Sequence, residues 1–305
     1  MRRPLSGLPP RRRRLRRRHL RGAHRARLPP GGAERARTAA RRALHPRPHP
    51  PRIGALVSYS YPQIALDHIA RLVSTQEAAI TAAVDAIAPR MIAGGILQAF
   101  ATGHARLPMH EMAGRAGGLR PINLIRMQDL ATRGGLPFSA VSDPLLERDP
   151  GFARQLWDLT RIDAEKDIVM VASNSGINGI TVEFASIARS EGIPVIALTS
   201  MAHTTQVESR HPSGKRLFEV ADIVIDNLGP AGDATLPLDD AVSVGAVSNL
   251  MGIVVVQMIT EGIARRYLAE GLVPPVYRSM NMPDGDGRNA AIEAMHADRI
   301  ATIEP

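Results

Sequence analysis

Between residues 61 and 89, apolar side chains recur at Ile64, Ile69, Leu72, Val73, Ile80, Val84 and Ile87 with charged residues between them, the spacing of one face of a long helix. The pattern then changes. Residues 95–101 are apolar without that spacing and run into Thr102-Gly103-His104, which reads as a strand leaving for a polar turn. A short helix is predicted over 109–115, stopped by Gly117-Gly118, and a second strand over 121–125. Residues 126–146 are polar and rich in turn formers, and 150–159 reads as helix. From there the order is regular, with strands over 167–172, 194–199 and 222–226 and helices over 178–190 and 214–220. A loop over 227–234 precedes a long helix expected over 243–268.

Strands alternating with helices at this spacing predict an α/β fold, a parallel sheet covered on both faces. Ligands in such sheets sit at the carboxyl ends of strands, near the point where strand order reverses. The turns at Thr102 and Ser173 both leave strands at that end. The last helix carries Gly245, Ala246, Gly252 and Val254 to Val256 and is apolar around most of its girth, so it is expected to pack against the sheet and against another subunit.

The segment from Asp167 to Gly179 is the most informative, because a β-branched run empties into Ser173-Asn174-Ser175-Gly176-Ile177-Asn178 at the start of a helix. Small residues let the backbone approach a ligand, and the free N–H groups of a first helical turn point at an anion with the helix dipole behind them. Ser173, Ser175 and Asn178 add side-chain donors. The same residue types also serve as an N-cap and tight turn without any ligand, and residue type leaves both readings open. The turn has neither the Lys of a P-loop nor a Gly-x-Gly-x-x-Gly fingerprint, so a phosphomonoester suits it better than a nucleoside triphosphate or a dinucleotide.

Charge divides the 305-residue chain in two. Residues 1–52 hold 18 Arg, no Lys and one acid, Glu34, whereas the remainder has 20 basic and 28 acidic residues. An acidic body argues against a nucleic-acid-binding core. The Arg/Pro-rich tail over 1–56 has too few apolar residues to pack and is expected to be disordered. It reads as an arm for nucleic acid or an anionic membrane, as a transit-like segment, or as a translated upstream stretch with the true start near Val57 or Tyr59. The chain has no cysteine, so disulfides, thiolate metal sites and a cysteine nucleophile are excluded. No apolar run reaches the roughly 18–20 residues that span a bilayer, and a soluble, cytoplasmic body is expected.

Several segments taken in order resemble sugar isomerase (SIS) domain proteins, and in particular a bacterial SIS family associated with phosphosugar binding. They are Thr102-Gly103-His104, Glu111 with Arg115 to Leu119, Leu146 to Ala153, the Ser173 turn, His211 to Leu217, Ala221 to Asn227, Gly232-Asp233-Ala234, Pro274-Pro275-Val276 and Ser279-Met280-Asn281. The resemblance implies one domain over 57–305. Its fold would be a three-layer α/β/α sandwich around a five-stranded parallel sheet, doubly wound and flavodoxin-like, with long N- and C-terminal helices. It also implies a homodimer or homotetramer whose sites borrow residues from neighbours. The family's turn maps onto Ser173, Asn174, Ser175, Gly176 and Asn178 as phosphate ligands, with Thr102, Gly103, Arg106, Thr199 and Ser200 lining the substrate. One departure stands out, since Gly-His-Ser-His is expected where Gly103-His104-Ala105-Arg106 is found. A hydroxyl is lost and a permanent cation gained.

An aldose–ketose isomerase moves a proton between adjacent carbons, so it needs a carboxylate or imidazole near the substrate and a group that polarises the carbonyl. Glu111 is the first candidate base, on the short helix after the Thr102 turn, although a salt bridge with Arg115 four residues on is an equally ordinary use of it. His104 at the strand exit and His211 before Pro212 are candidates for assisting ring opening, His211 being equally suited to fixing its loop. His203 and His296 have no partner pattern. Neither metal-ligand spacing nor a Gly-x-Ser-x-Gly elbow is present, and no cofactor is expected. The partner implied is a small-molecule sugar phosphate, with no nucleic acid for the folded body and no membrane. Two other readings use the same pocket: a non-catalytic phosphosugar sensor, and a lyase or etherase acting on an amino-sugar phosphate.

Overall fold

The computed structural model describes residues 59–301, and the Arg/Pro-rich stretch 1–56 lies outside the described residues. Helix α1, Tyr61–Ile92, buries Leu72, Ile80, Ala83, Val84, Ile87 and Met91, the face its apolar period predicts. Five strands follow: β1 Leu97–Ala101, β2 Ile122–Ile125, β3 Ile168–Ala172, β4 Val195–Thr199 and β5 Ile223–Asp226. They form one parallel sheet in the order β2-β1-β3-β4-β5. This is the doubly wound arrangement, and its strand order reverses between β1 and β3. Ala101 pairs with Ala172, so these two strands end level and their turns lie side by side.

Side-chain alternation along β3 divides the core in two. Ile168, Met170 and Ala172 join a cluster with α1 and with two later helices, α2 Arg106–Met112 and α9 Ser248–Ala269. Val169 and Val171 face the other layer, where the Phe100 ring lies tilted against Phe184 and Trp157 meets Phe184 edge-on. That layer holds α3 Asp129–Thr132, α4 Phe138–Val141, α5 Gly151–Asp158, α6 Gly179–Ser190 and α8 Leu217–Val220. A short α7, Met201–Thr204, follows β4. The last helix among the described residues is α10, Gly285–Glu293, and none of these helices is long and apolar enough to cross a membrane.

Three elements differ from the expectation. Residues 243–246 are not helix: β7, Ser243–Ala246, pairs antiparallel with β6, Ala234–Pro237. Gly245 has φ +77°, which no helix accommodates, and the Tyr61 ring lies where a β-carbon would project, with Tyr61 Oη donating to the Ala246 carbonyl at 2.7 Å. Helix α2 begins and ends three residues early, because Gly114 turns left-handed and Leu119 N–H reaches back to the Met112 carbonyl at 3.0 Å. The helix expected over 214–220 begins only at Leu217, after Gly214 at φ +72°.

At the amino end of the sheet, Asp167 is fully buried and fully partnered. It accepts from Ile96 N–H at 2.9 Å, Gln98 Nε2 at 2.8 Å, Asp163 N–H at 3.0 Å and Arg299 Nη2 at 2.5 Å. Asn123 extends this network, donating to Gln98 Oε1 and accepting from Ala301 N–H, which ties the chain's last described residues to the sheet edge.

Candidate functional site

At the opposite end, where β1 and β3 finish level, a cleft of about 330 Å³ opens. One wall is Thr102, Gly103, His104 and Ala105, carried by β1 and a tight turn over Gly103–Ala105. The facing wall is Ser173, Asn174, Ser175 and Asn178 after β3. A smaller lobe of about 200 Å³ shares Thr102, Gly103 and Glu147 with it and reaches Arg106 and Gln128.

The β3 turn is built from within. Gly176 takes φ +62° and packs against Thr199 and Thr204 so closely that a β-carbon would need both to shift. Its N–H donates to Ser173 Oγ at 3.1 Å. The Asn174 carbonyl accepts from Ser200 N–H at 3.1 Å and Thr199 Oγ1 at 3.2 Å, and Asn174 Oδ1 accepts from Asn227 Nδ2 at 3.0 Å. Thr199 and Ser200 are therefore buried supports behind the turn and do not line the cleft, Ser200 Oγ also donating to the Gly229 carbonyl.

Asn178 is the N-cap residue of α6, yet its side chain does not cap. Nδ2 donates to Glu147 Oε1 at 2.7 Å, and Oδ1 accepts from Arg210 Nη1 at 2.6 Å. Among the described residues, no protein group accepts from the backbone N–H of Ser175, Asn178, Gly179 or Ile180. The positive end of a twelve-residue helix is thus left to an external acceptor beside the Ser175 hydroxyl.

Of the three residues expected to carry proton transfer, the structure brings one to the cleft. His104 lines it. Glu111 stands outside, paired with Arg115 and accepting from Gln257 Nε2 at 3.0 Å, because α2 carries it toward the flank of α9. His211 is also outside, its Nε2 bonded to Glu183 at 2.7 Å and its Nδ1 to Ser213 at 2.7 Å, which fixes the loop before α8. Arg106 donates from Nε to the Gly103 carbonyl at 3.0 Å and from Nη1 to Gln128 at 3.3 Å, bracing the β1 turn while lining the smaller lobe.

Three residues with titratable side chains line the cleft unforeseen, one of them Asp233, which accepts from Val247 and Ser248 N–H. His203 enters from α7, and its buried Nδ1 has no protein partner among the described residues. Glu147 enters from a single turn over Leu146–Arg148. The sequence carries no local signal for Glu147, since the residue that orients it is 31 positions away.

The family model described as the SIS domain matches residues 60–200. A UPF0309 protein of Halalkalibacterium halodurans is 35% identical over 219 residues, covering 72% of this chain and 88% of its own. A UPF0309 protein of Streptomyces coelicolor is 34% identical over 237 residues, covering 77% and 93%. The chain belongs to the UPF0309 family, with a SIS domain over residues 60–200. Among solved structures, this SIS domain is similar to a phosphoheptose isomerase from Francisella tularensis, at 19% identity and a TM-score of 0.44, covering 68% of this chain and 95% of that one. It is also similar to the Vibrio vulnificus NanR protein complexed with ManNAc-6P, at 12% identity and a TM-score of 0.40, covering 79% and 69%. At that distance, what those two proteins bind or convert stays a property of theirs.

Proposed function

We propose that this SIS domain binds a sugar phosphate and interconverts its aldose and ketose forms by proton transfer, with the phosphate on Ser173, Asn174, Ser175, Gly176 and Asn178. One observation carries the proposal: the N-terminus of α6 opens into the cleft with its N-cap side chain turned away to Glu147 and Arg210. A turn that needed only a cap would have used Asn178 for it. Thr102, Gly103 and His104 line the cleft, which supports their facing the sugar in this reading, with His104 assisting ring opening. The reaction needs no cofactor, since both the proton donor and acceptor are side chains.

Replacing Ser175 with Ala tests the anion site. Loss of one hydrogen bond to a charged group, about 1.5 kcal/mol, corresponds to roughly tenfold weaker binding of inorganic phosphate in calorimetry. Unchanged affinity would remove the anion-site reading.

A second reading, a phosphosugar sensor without turnover, is favoured by Ala105 and Arg106 on the β1 turn, where the guanidinium braces backbone and stays protonated at neutral pH, so it cannot cycle as an acid and base. Binding of aldose phosphates without any solvent exchange would support it. Association of copies is part of the proposal: Ile253, Val254 and Met258 on α9 border a shallow groove beside Gln257, the partner of Glu111.

A further inference from the structure

We infer that Glu147 is the carboxylate that moves the carbon-bound proton in this cleft, and that Glu111 is not. The inference rests on the isomerase reading above and adds to it the identity of the base.

Three observations place Glu147. It lines both lobes, at the neck between the phosphate turn and the Arg106 end. Its Oε1 is held by Asn178 Nδ2 at 2.7 Å, and Asn178 is itself held by Arg210, so the carboxylate is tied to the N-cap residue of the helix whose N–H groups face the phosphate. Among the described residues, Oε2 has no hydrogen-bond partner, whereas Glu111 is engaged by Arg115 and Gln257.

Gly179 explains how the neck is fixed. A β-carbon at Gly179 would lie 2.2 Å from the Arg148 carbonyl oxygen and within 3 Å of Pro150. Only glycine lets the Leu146–Arg148 turn sit directly on the first turn of α6. Glu147 and the phosphate turn are thereby registered to each other through backbone contact, which is the pre-organisation a proton transfer requires.

In the step assigned to it, the Glu147 carboxylate takes the proton from C2 of the open-chain aldose phosphate. The C2–H electron pair becomes the C1–C2 double bond, and the carbonyl π pair moves to O1, which is protonated. The enediol then collapses: O2 loses its proton as its C–O bond becomes the ketose carbonyl, and C1 receives the proton from Glu147. The imidazoles of His104 and His203, both on the cleft wall, are positioned to give the proton to O1 and take the one from O2.

The test uses the full chain, with glucose 6-phosphate, mannose 6-phosphate, ribose 5-phosphate and arabinose 5-phosphate as probes. Loss of the C2 proton signal in deuterated solvent is followed by NMR, and inorganic phosphate binding is measured by calorimetry on the same samples. Glu147→Gln keeps the Oε1 acceptor for Asn178 and is expected to bind inorganic phosphate several-fold more tightly, because a like charge beside the anion is gone, while exchange falls at least 100-fold. Glu147→Asp, with its carboxylate withdrawn by one methylene, should retain measurable exchange. Glu111→Gln should keep exchange within about threefold. Exchange that persists in Glu147→Gln, exchange lost in Glu111→Gln, or a wild-type protein that binds these probes without exchange each overturns the assignment. A wild-type protein that binds neither inorganic phosphate nor any probe overturns the anion site itself, a result visible in the calorimetry alone.

Discussion

The two ends of β3 contrast sharply in how they treat polar groups. At its amino end Asp167 lies out of water with every requirement met by Ile96, Gln98, Asp163 and Arg299. At its carboxyl end the backbone N–H groups of Ser175, Asn178, Gly179 and Ile180 have no acceptor among the described residues. Buried polar groups are ordinarily paired, so the closed end is a structural lock and the open end has a use beyond folding. The same cleft holds an internal control. Helix α9 also points its N-terminus there, but Asp233 accepts from Val247 N–H at 3.1 Å, from Ser248 N–H at 2.8 Å and from Ser248 Oγ at 2.7 Å. One helix dipole is satisfied by the protein's own carboxylate and the other is not.

Substitution can break this contrast. The largest effect is expected from Arg299→Ala, which leaves the buried Asp167 carboxylate without its cation and should lower stability by about 3–5 kcal/mol in denaturant unfolding. Phosphate affinity of the folded fraction should not change, because the lock lies at the far edge of the sheet. Asp233→Ala should cost about 1–2 kcal/mol as a lost cap. Inorganic phosphate should then raise the melting temperature of that variant more than it raises the wild type's, since a second N-terminus has become available. Equal rises would mean the two helix ends are not comparable. Ser175→Ala should move stability by less than about 0.5 kcal/mol while weakening phosphate binding, the reverse of the Arg299 result.

The smallest effect is a pH dependence with one histidine at each end. Burial, Arg106 and Arg126 lower the pKa of His110 on α2, and burial, Arg299 and Arg120 lower that of His296. Both stay neutral in the native protein below the usual 6.5, so the unfolded chain binds more protons there and stability is lost as pH falls from about 6.5 toward the lowered values. Substituting His296 with Asn should flatten part of this decline in melting temperature measured between pH 7 and 5. An unaltered profile would show that the positive field around Arg299 is compensated by Asp167 more fully than the geometry indicates.

Much of the fold was legible because its signals are local. The apolar period of α1, the β-branched run of β3 and the glycine- and serine-rich turn after it each depend on neighbouring residues. The misreading at 243–246 has the same origin: Val244 and Ala246 continue the apolar character of α9, and a composition-based reading has no access to the positive φ of Gly245 or to the Tyr61 ring packed on it. Of the expected site residues, those adjacent to a strand end, Thr102, Gly103, His104, Ser173, Asn174, Ser175 and Asn178, line the cleft. Glu111 was placed by its helix but not by its face: each residue turns an α-helix by about 100°, so an error of one or two residues in register separates a cleft-facing carboxylate from one paired to Arg115.

Sequence alone determined the α/β alternation, the parallel sheet and the small, polar turn after β3, since backbone preference and hydrophobic period act over a few residues at a time. Tertiary structure decided which side chains share the cleft. Glu147 reaches it only because Gly179 admits the Arg148 carbonyl, and His203 only because β4 ends beside β3. Contacts between residues some 30 positions apart are set by how a crossover docks on the sheet, a packing outcome that no short window of residues encodes.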